Sequence, residues 1–192
     1  MKTTQILIAG GLLLTAMLAT EVLAQGDSEV QAGLNMSPVP LNLSGLNRAL
    51  VGRGSYLING PGNCSNCHTA GLRFLPGGDP FLGQPKVENT VNFLGGNRQF
   101  GPTIVSRNLT PDAQGLPGGL TLDQFIFTMR SGMDVKNLTP VSPGPVLDLL
   151  QIMPWPQYQN LTVNDLRAMY EYLKAIGCVP GGPGLSATRC GP

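Results

Sequence analysis

Apolar residues recur every three or four positions in three stretches of the chain, which is the spacing of one helical face. The first stretch covers residues 46–57, the second 122–129 and the third 166–176. Residues that start or stop helices flank each of them. The fold is therefore predicted to be mainly α, with three or more helices. The predicted caps are Ser44, Thr121 and Thr162, and the predicted ends are residues 59–62, Gly132 and Gly177.

Glycine and proline punctuate the segments between these helices. The chain has 26 glycines and 17 prolines, and residues 71–119 and 137–161 are predicted to be long ordered loops. Within the first loop, 100–105 is predicted to be a short strand and 108–112 a turn. Hydrophobic residues still make up 42% of the chain. A large apolar cofactor would give such a loop-rich domain the interior that regular structure does not supply.

The N-terminus has the pattern of a secretory signal peptide. Lys2 precedes a short apolar run, and Ala24 is a small residue at a plausible cleavage site. Glycines interrupt the run, which is shorter than the roughly 20 apolar residues of a membrane span, so cleavage is favoured over an uncleaved anchor. We expect a signal peptide at 1–24, an N-terminal extension without clear period at 25–43, and one domain at 44–192. The mature chain is predicted to be periplasmic, without a transmembrane segment.

The charge of the chain excludes some functions. Its formal net charge is +1 and only 12% of its residues are charged, about half the fraction typical of soluble domains. A near-neutral chain lacks the basic surface that nucleic-acid binding requires. Nucleic acid is therefore not a predicted partner.

The stretch NCSNCHTAG contains Cys64, Cys67 and His68, the last being the only histidine of the chain. A structural zinc site needs four ligands, and the remaining pair, Cys178 and Cys190, lies far away on a tail rich in glycine and proline. A thiol–disulfide exchange motif normally opens a helix after a strand, and no strand is predicted here. Cys-x-x-Cys-His is the attachment signature of haem c, and it agrees with secretion. One covalent haem is the favoured interpretation, with His68 as an iron ligand.

The second axial position cannot be filled by histidine. Methionines on the helical faces are expected to pack in the core, which leaves Met133 and Met153 as candidates. Pro154 and Pro156 stiffen the segment that follows Met153 and argue against a helix there. A rigid loop suits a thioether ligand, so Met153 is favoured, as in the His/Met ligation of cytochromes c.

Four stretches together resemble the class I c-type cytochromes of bacteria, and in particular the cytochrome subunits and domains of periplasmic dehydrogenases. The resemblance covers about half of the mature chain. It implies a cytochrome c-like fold of three or more helices around one covalent haem, with the first and last helices crossing. It also implies that Cys64, Cys67 and His68 bind haem and that Met153 is the sixth ligand. The stretches are RGSYLINGPGNCSNCHTAG, SRNLTPDAQGL, TLDQFIFTMRSGMD and IMPWPQYQNLTVNDLRAMYEYLKAIG.

The expected function is single-electron transfer between a dehydrogenase donor and an oxidase or another cytochrome as acceptor. The chain is expected to be a carrier rather than an enzyme, either a soluble shuttle or a single-haem subunit of a complex. Two alternatives are a haem enzyme or gas-binding sensor with an open sixth iron position, and a structural subunit whose haem is only a folding core.

Two further expectations concern the surroundings of the haem. Haem propionates need hydrogen-bond donors, and Trp155 is preferred because it lies beside Met153. Cys178 and Cys190 are expected to form a disulfide, since spare thiols in a secreted protein are usually paired. The other candidate donors are Arg73, Arg98, Arg107 and Asn108.

Overall fold

Two long helices cross at the centre of the fold. Helix α2 spans Arg48–Asn59 and helix α6 spans Val163–Ala175, and they make the most extensive contact between any two described elements. Their backbones approach closely at Gly54, where an added Cβ would overlap the carbonyl oxygen of Ala168. The predicted mainly α fold, with its first and last predicted helices packed together, is confirmed.

The computed structural model describes residues 28–140, 145–180 and 189–191. The predicted signal peptide at 1–24 lies outside these residues. In the described part of the chain no helix has the length and apolar character that crossing a bilayer requires. The remaining helices are α1 at 28–36, α3 at Ser65–His68, α4 at Leu122–Ser131 and α5 at Trp155–Tyr158, with a 3₁₀ turn at Pro80–Leu82.

The helix caps follow the sequence closely. The Thr121 hydroxyl accepts from the Gln124 N–H and the Gln124 side chain accepts in return, so the predicted capping box of α4 is confirmed. Thr162 caps α6 by accepting from the Asp165 N–H. The prediction of Ser44 as the cap of α2 is wrong. Asn47 accepts from two backbone N–H groups instead and starts the helix later.

The N-terminal extension contains a helix that its sequence pattern did not predict. Helix α1 packs on α2, and a Cβ at Gly33 would overlap the Gly52 carbonyl oxygen. The Ser55 hydroxyl of α2 donates to the Gly33 carbonyl. Two helices that meet through glycines place their backbones in contact and need few apolar side chains between them. Such a helix therefore does not show apolar residues at regular helical spacing.

Residues 137–161, predicted to be loop, include regular structure. Strand β3, Met133–Pro140, and strand β4, Pro145–Leu149, form an antiparallel hairpin, with Met133 paired with Leu149. Pro140 and Pro145 pair at the end of the hairpin next to its loop, and Pro156 lies in the first turn of α5, where an α-helix needs no backbone N–H. Prolines are therefore compatible with both elements. The argument that prolines exclude a helix after Met153 is therefore wrong. The predicted strand at 100–105 is a smaller hairpin, β1 at Gln99–Phe100 with β2 at Ile104–Val105.

Candidate haem site

A cavity of about 1080 Å³ opens beside the crossing of α2 and α6. Cys64, Cys67 and His68 line this cavity, and we call the segment at 60–68 that contains them the histidine wall. Met153 lines the same cavity, and we call the segment at 150–158 that contains it the methionine wall. The lining as a whole is mainly apolar. It includes Ile58, Leu120, Phe125, Met129 and Leu173.

The histidine wall is built by the chain segment that follows α2. The Gly62 N–H donates to the Leu57 carbonyl at 2.8 Å, and the Cys64 N–H donates to the Ile58 carbonyl at 3.1 Å. These bonds turn the chain into α3, where the His68 N–H donates to the Cys64 carbonyl at 3.0 Å. Side chains three and four positions apart share one face of a helical turn. The spacing of the motif thus aims all three side chains into one cavity.

The ring of His68 is held in a defined orientation. Its Nδ1 lies 2.7 Å from the Arg107 carbonyl oxygen, to which it donates as the Nδ1–H tautomer, and this leaves Nε2 with a free lone pair. Burial lowers the pKa of His68, which favours the neutral ring that metal binding requires. The backbone of His68 is fixed as well, because its carbonyl accepts from the Gly96 N–H at 2.7 Å.

The methionine wall depends on contacts with distant parts of the chain. The Leu150 N–H donates to the Gly132 carbonyl at 2.7 Å, which ties the approach to Met153 to the end of α4. The Met153 carbonyl accepts from the Trp155 N–H at 2.8 Å. The Tyr158 hydroxyl donates to the Gly62 carbonyl at 2.9 Å and so joins the two walls. Met153 is half-buried and packs against the core cluster.

Sequence relatives agree with this geometry. Over 124 residues, 65% of its length, the chain is 32% identical to the cytochrome c subunit of an alcohol dehydrogenase (quinone) from Gluconobacter oxydans (strain 621H), of which it covers 21%. Over 126 residues, 66% of its length, it is 32% identical to the cytochrome c subunit of gluconate 2-dehydrogenase from Pantoea cypripedii, of which it covers 23%. Over 162 residues, 83% of its length, it is 28% identical to the cytochrome subunit of fructose dehydrogenase from Gluconobacter japonicus, of which it covers 27%. No family model matches the chain.

The chain is related to the cytochrome c subunits of bacterial dehydrogenases. It spans between a fifth and somewhat more than a quarter of the length of these three relatives.

The residues around the cavity fit a haem. Its apolar lining suits a porphyrin ring, and two buried polar atoms beside it, Thr128 Oγ1 and Arg189 Nε, have no hydrogen-bond partner within the protein. Burial raises the pKa of the Cys64 thiol to about 12. Catalysts of thiol–disulfide exchange need the opposite shift, because the thiolate is their nucleophile. Cys178 and Cys190, which a zinc site would need, are joined to each other as the predicted disulfide.

The predicted propionate donors separate into two groups. Arg107 and Asn108 line the cavity. Arg73 and Arg98 do not; the first bonds Asn63 and Glu88, and the second bonds the Asn66 carbonyl.

Trp155 is not among the residues that line the cavity. Its indole packs over Gly132, where an added Cβ would overlap the ring. Met133, the other candidate iron ligand, is not a lining residue either. The structure thus brings Met153, but neither of these two residues, to the cavity with the haem-attachment motif. Their predicted roles in haem binding, and that of Met153, remain predictions.

Sequence reasoning missed several polar residues of the lining, among them Thr128, Tyr158 and Arg189. Thr128 lies on α4 beside the apolar stripe, and Tyr158 lies on the short helix α5 that the prolines concealed. Arg189 precedes Cys190 in a tail without periodicity. Its only signal in the sequence was its position next to Cys190. That cysteine was predicted to form a disulfide with Cys178, which lies just after α6.

Proposed function

We propose that the chain is a periplasmic c-type cytochrome with one covalent haem, which transfers single electrons between a dehydrogenase and a downstream acceptor. The observation that carries this proposal is the convergence of Cys64, Cys67, His68 and Met153 on one cavity. The relatives support it, because each named relative is a cytochrome subunit of a dehydrogenase.

The chain's own residues would hold the haem in three ways. Cys64 and Cys67 would hold it covalently, each S–H adding across one vinyl group to give a thioether. His68 presents Nε2, fixed by the Arg107 carbonyl at its other nitrogen. Met153 would offer its thioether sulfur as the second iron ligand.

When bound, the haem supplies a one-electron couple between ferric and ferrous iron. His68 and Met153 would both ligate the iron, and oxygen and peroxide would then gain no ready access to the metal. A methionine ligand raises the reduction potential relative to two histidines. The apolar lining works in the same direction, because burial disfavours the additional charge of the ferric state.

Spectroscopy of the secreted protein tests the proposal. Mass spectrometry is expected to show one haem bonded to each chain, and the oxidised protein is expected to show the weak near-infrared sulfur–iron band. Met153→Ala should abolish that band and lower the potential, whereas Met133→Ala should leave both unchanged. Retention of the band in Met153→Ala would refute the proposed ligand.

Carbon monoxide separates electron transfer from the alternative with an open iron position. The reduced wild-type protein is expected not to bind carbon monoxide rapidly, while Met153→Ala should bind it. Rapid binding by the wild type would favour a gas-binding or enzymatic role. Reduction of the oxidised protein by a co-purified dehydrogenase, followed in a stopped-flow instrument, tests the proposed donor.

A further inference from the structure

The C-terminal tail returns to the cavity at Arg189. After α6 the chain is pinned at Val179, whose N–H donates to Thr110 Oγ1 at 3.0 Å and whose carbonyl accepts from Asn108 Nδ2 at 2.9 Å. Cys178 is bonded to Cys190, with their Cα atoms 5.7 Å apart. The residue before Cys190 is therefore held next to the cavity-lining turn at 108–112.

Arg189 is a cavity-lining cation with an unused donor. One of its Nη groups donates to the Thr110 carbonyl oxygen, which orients the guanidinium. Its Nε–H is buried and has no hydrogen-bond partner. None of the salt bridges found among the described residues includes Arg189. A buried N–H on a charged group is costly unless an acceptor meets it.

The other charged groups of the lining are already engaged. Arg107 Nη2 lies 2.6 Å from both carboxylate oxygens of Asp134, so its charge is compensated. Asp112 accepts from the backbone N–H groups of Gln114 and Leu116, both at 2.9 Å. Arg189 is thus the lining residue best suited to receive a carboxylate from an occupant of the cavity.

We propose that Arg189 binds a haem propionate through its guanidinium, and that the Cys178–Cys190 disulfide is the device that positions it there. This inference rests on the proposed function, which places haem in the cavity. Haem contributes two carboxylates, and an arginine presents donors in a planar fork that matches such a group. A cation beside a propionate also disfavours the ferric state, so Arg189 would raise the reduction potential.

A charge-removing substitution tests the contact. Arg189→Gln is expected to lower the midpoint potential of the holoprotein, and Arg189→Lys to restore part of the shift by restoring the charge. Arg167→Gln is the matched control, because Arg167 is an exposed arginine of α6 outside the cavity lining. An unchanged potential in Arg189→Gln, or an equal shift in the Arg167 control, would overturn the inference.

A double-mutant cycle tests the positioning role of the disulfide. The paired change Cys178→Ser with Cys190→Ser should lower the potential in the same direction, by no more than Arg189→Gln does. Combined with Arg189→Gln, it should add little, because both changes remove the same contact. Fully additive shifts would mean that the disulfide acts independently of Arg189. Circular dichroism of each holoprotein verifies that the helices are retained.

The two levels of the proposal fail differently. If mass spectrometry finds no bonded haem in the wild type, the proposed function fails. If the wild type has one haem and the sulfur–iron band but Arg189→Gln leaves its potential unchanged, only the role of Arg189 fails.

Discussion

The two walls of the cavity are built in different ways. The histidine wall is local: residues 60–68 form a continuous turn and helix, bonded to the end of the helix that precedes them. The methionine wall is held by residues far away in sequence. Its anchors are Gly132 at the end of α4 and Gly62 on the histidine wall.

This difference determines what each wall contributes to a haem site. Local hydrogen bonds hold the backbone of the cysteines and the histidine in one turn, and the contacts of His68 with Gly96 and Arg107 add to them. The position of Met153 instead depends on the packing of α4, α5 and the β3–β4 hairpin. We therefore expect changes on the histidine wall to affect whether haem is held at all. Changes on the methionine wall should affect ligation of an attached haem.

The largest effect is expected from removing the ligand of the histidine wall. His68→Ala should abolish stable holoprotein, since no second histidine exists to replace it. Met153→Ala should still yield a chain with covalent haem. Intact mass and the pyridine haemochrome spectrum of secreted protein measure both. Equal haem content in the two variants would contradict the division between the walls.

The next effect is expected at Gly96, which supports the histidine wall. Gly96 has φ +67°, and an added Cβ would overlap the backbone of Arg107 and Asn108. We expect Gly96→Ala to lower the free energy of unfolding by about 3–4 kcal/mol, from left-handed strain together with overpacking. Urea denaturation of the holoprotein measures it. Gly101→Ala is the control, because its φ is +64° but an added Cβ meets no atom within 4 Å. If both variants lose the same stability, the overlap contributes nothing.

A smaller effect is expected at Gly132, the counterpart on the methionine wall. Its φ is +71° and an added Cβ would overlap the ring of Trp155. A side chain yields more easily than backbone, so Gly132→Ala should cost about 2–3 kcal/mol. The near-infrared band should weaken while covalent haem is retained. A variant that loses haem but keeps the band in the remaining holoprotein would reverse the expected order.

The smallest effect is expected at Tyr158, the hydrogen bond between the walls. Tyr158→Phe removes the donor to the Gly62 carbonyl and should cost about 0.5–1.5 kcal/mol. Burial raises the pKa of Tyr158 to about 12. The folded state thus favours the neutral phenol. The stability that this preference contributes is fully present below pH 10 and is lost between pH 10 and about 12. Denaturation at several pH values should show this loss in the wild type but not in Tyr158→Phe.

The histidine wall and the helices near it were predictable because their signals are local. The capping box at Thr121, the cap at Thr162 and the Cys-x-x-Cys-His spacing each involve residues at most four apart. The cap of α2 was mistaken by a few positions, because Ser44 and Asn47 are both good caps and only tertiary contacts choose between them.

The methionine wall and the tail were less predictable because long-range contacts define them. The prolines at 140–156 led to the prediction of a loop where the β3–β4 hairpin and α5 are found. These prolines lie at positions that need no backbone N–H. Glycine contacts concealed α1, and the place of Arg189 depends on a disulfide and on Thr110. Met153 was chosen by a family resemblance and by the stiffness of its loop. The structure places it at the cavity although the segment after it is helical.

Helix α2 meets neighbouring backbone on two opposite sides. Gly52 faces Val30 on α1, and Gly54 faces Ala168 on α6. Two positions along a helix differ by about 200° around its axis. A helix clamped in this way has a single rotational setting, since turning it would drive larger side chains into both neighbours. The absence of a Cβ at Gly52 and at Gly54, both outside the cavity, therefore fixes the direction in which the chain leaves α2. The same two glycines thereby orient the haem-attachment motif toward the cavity.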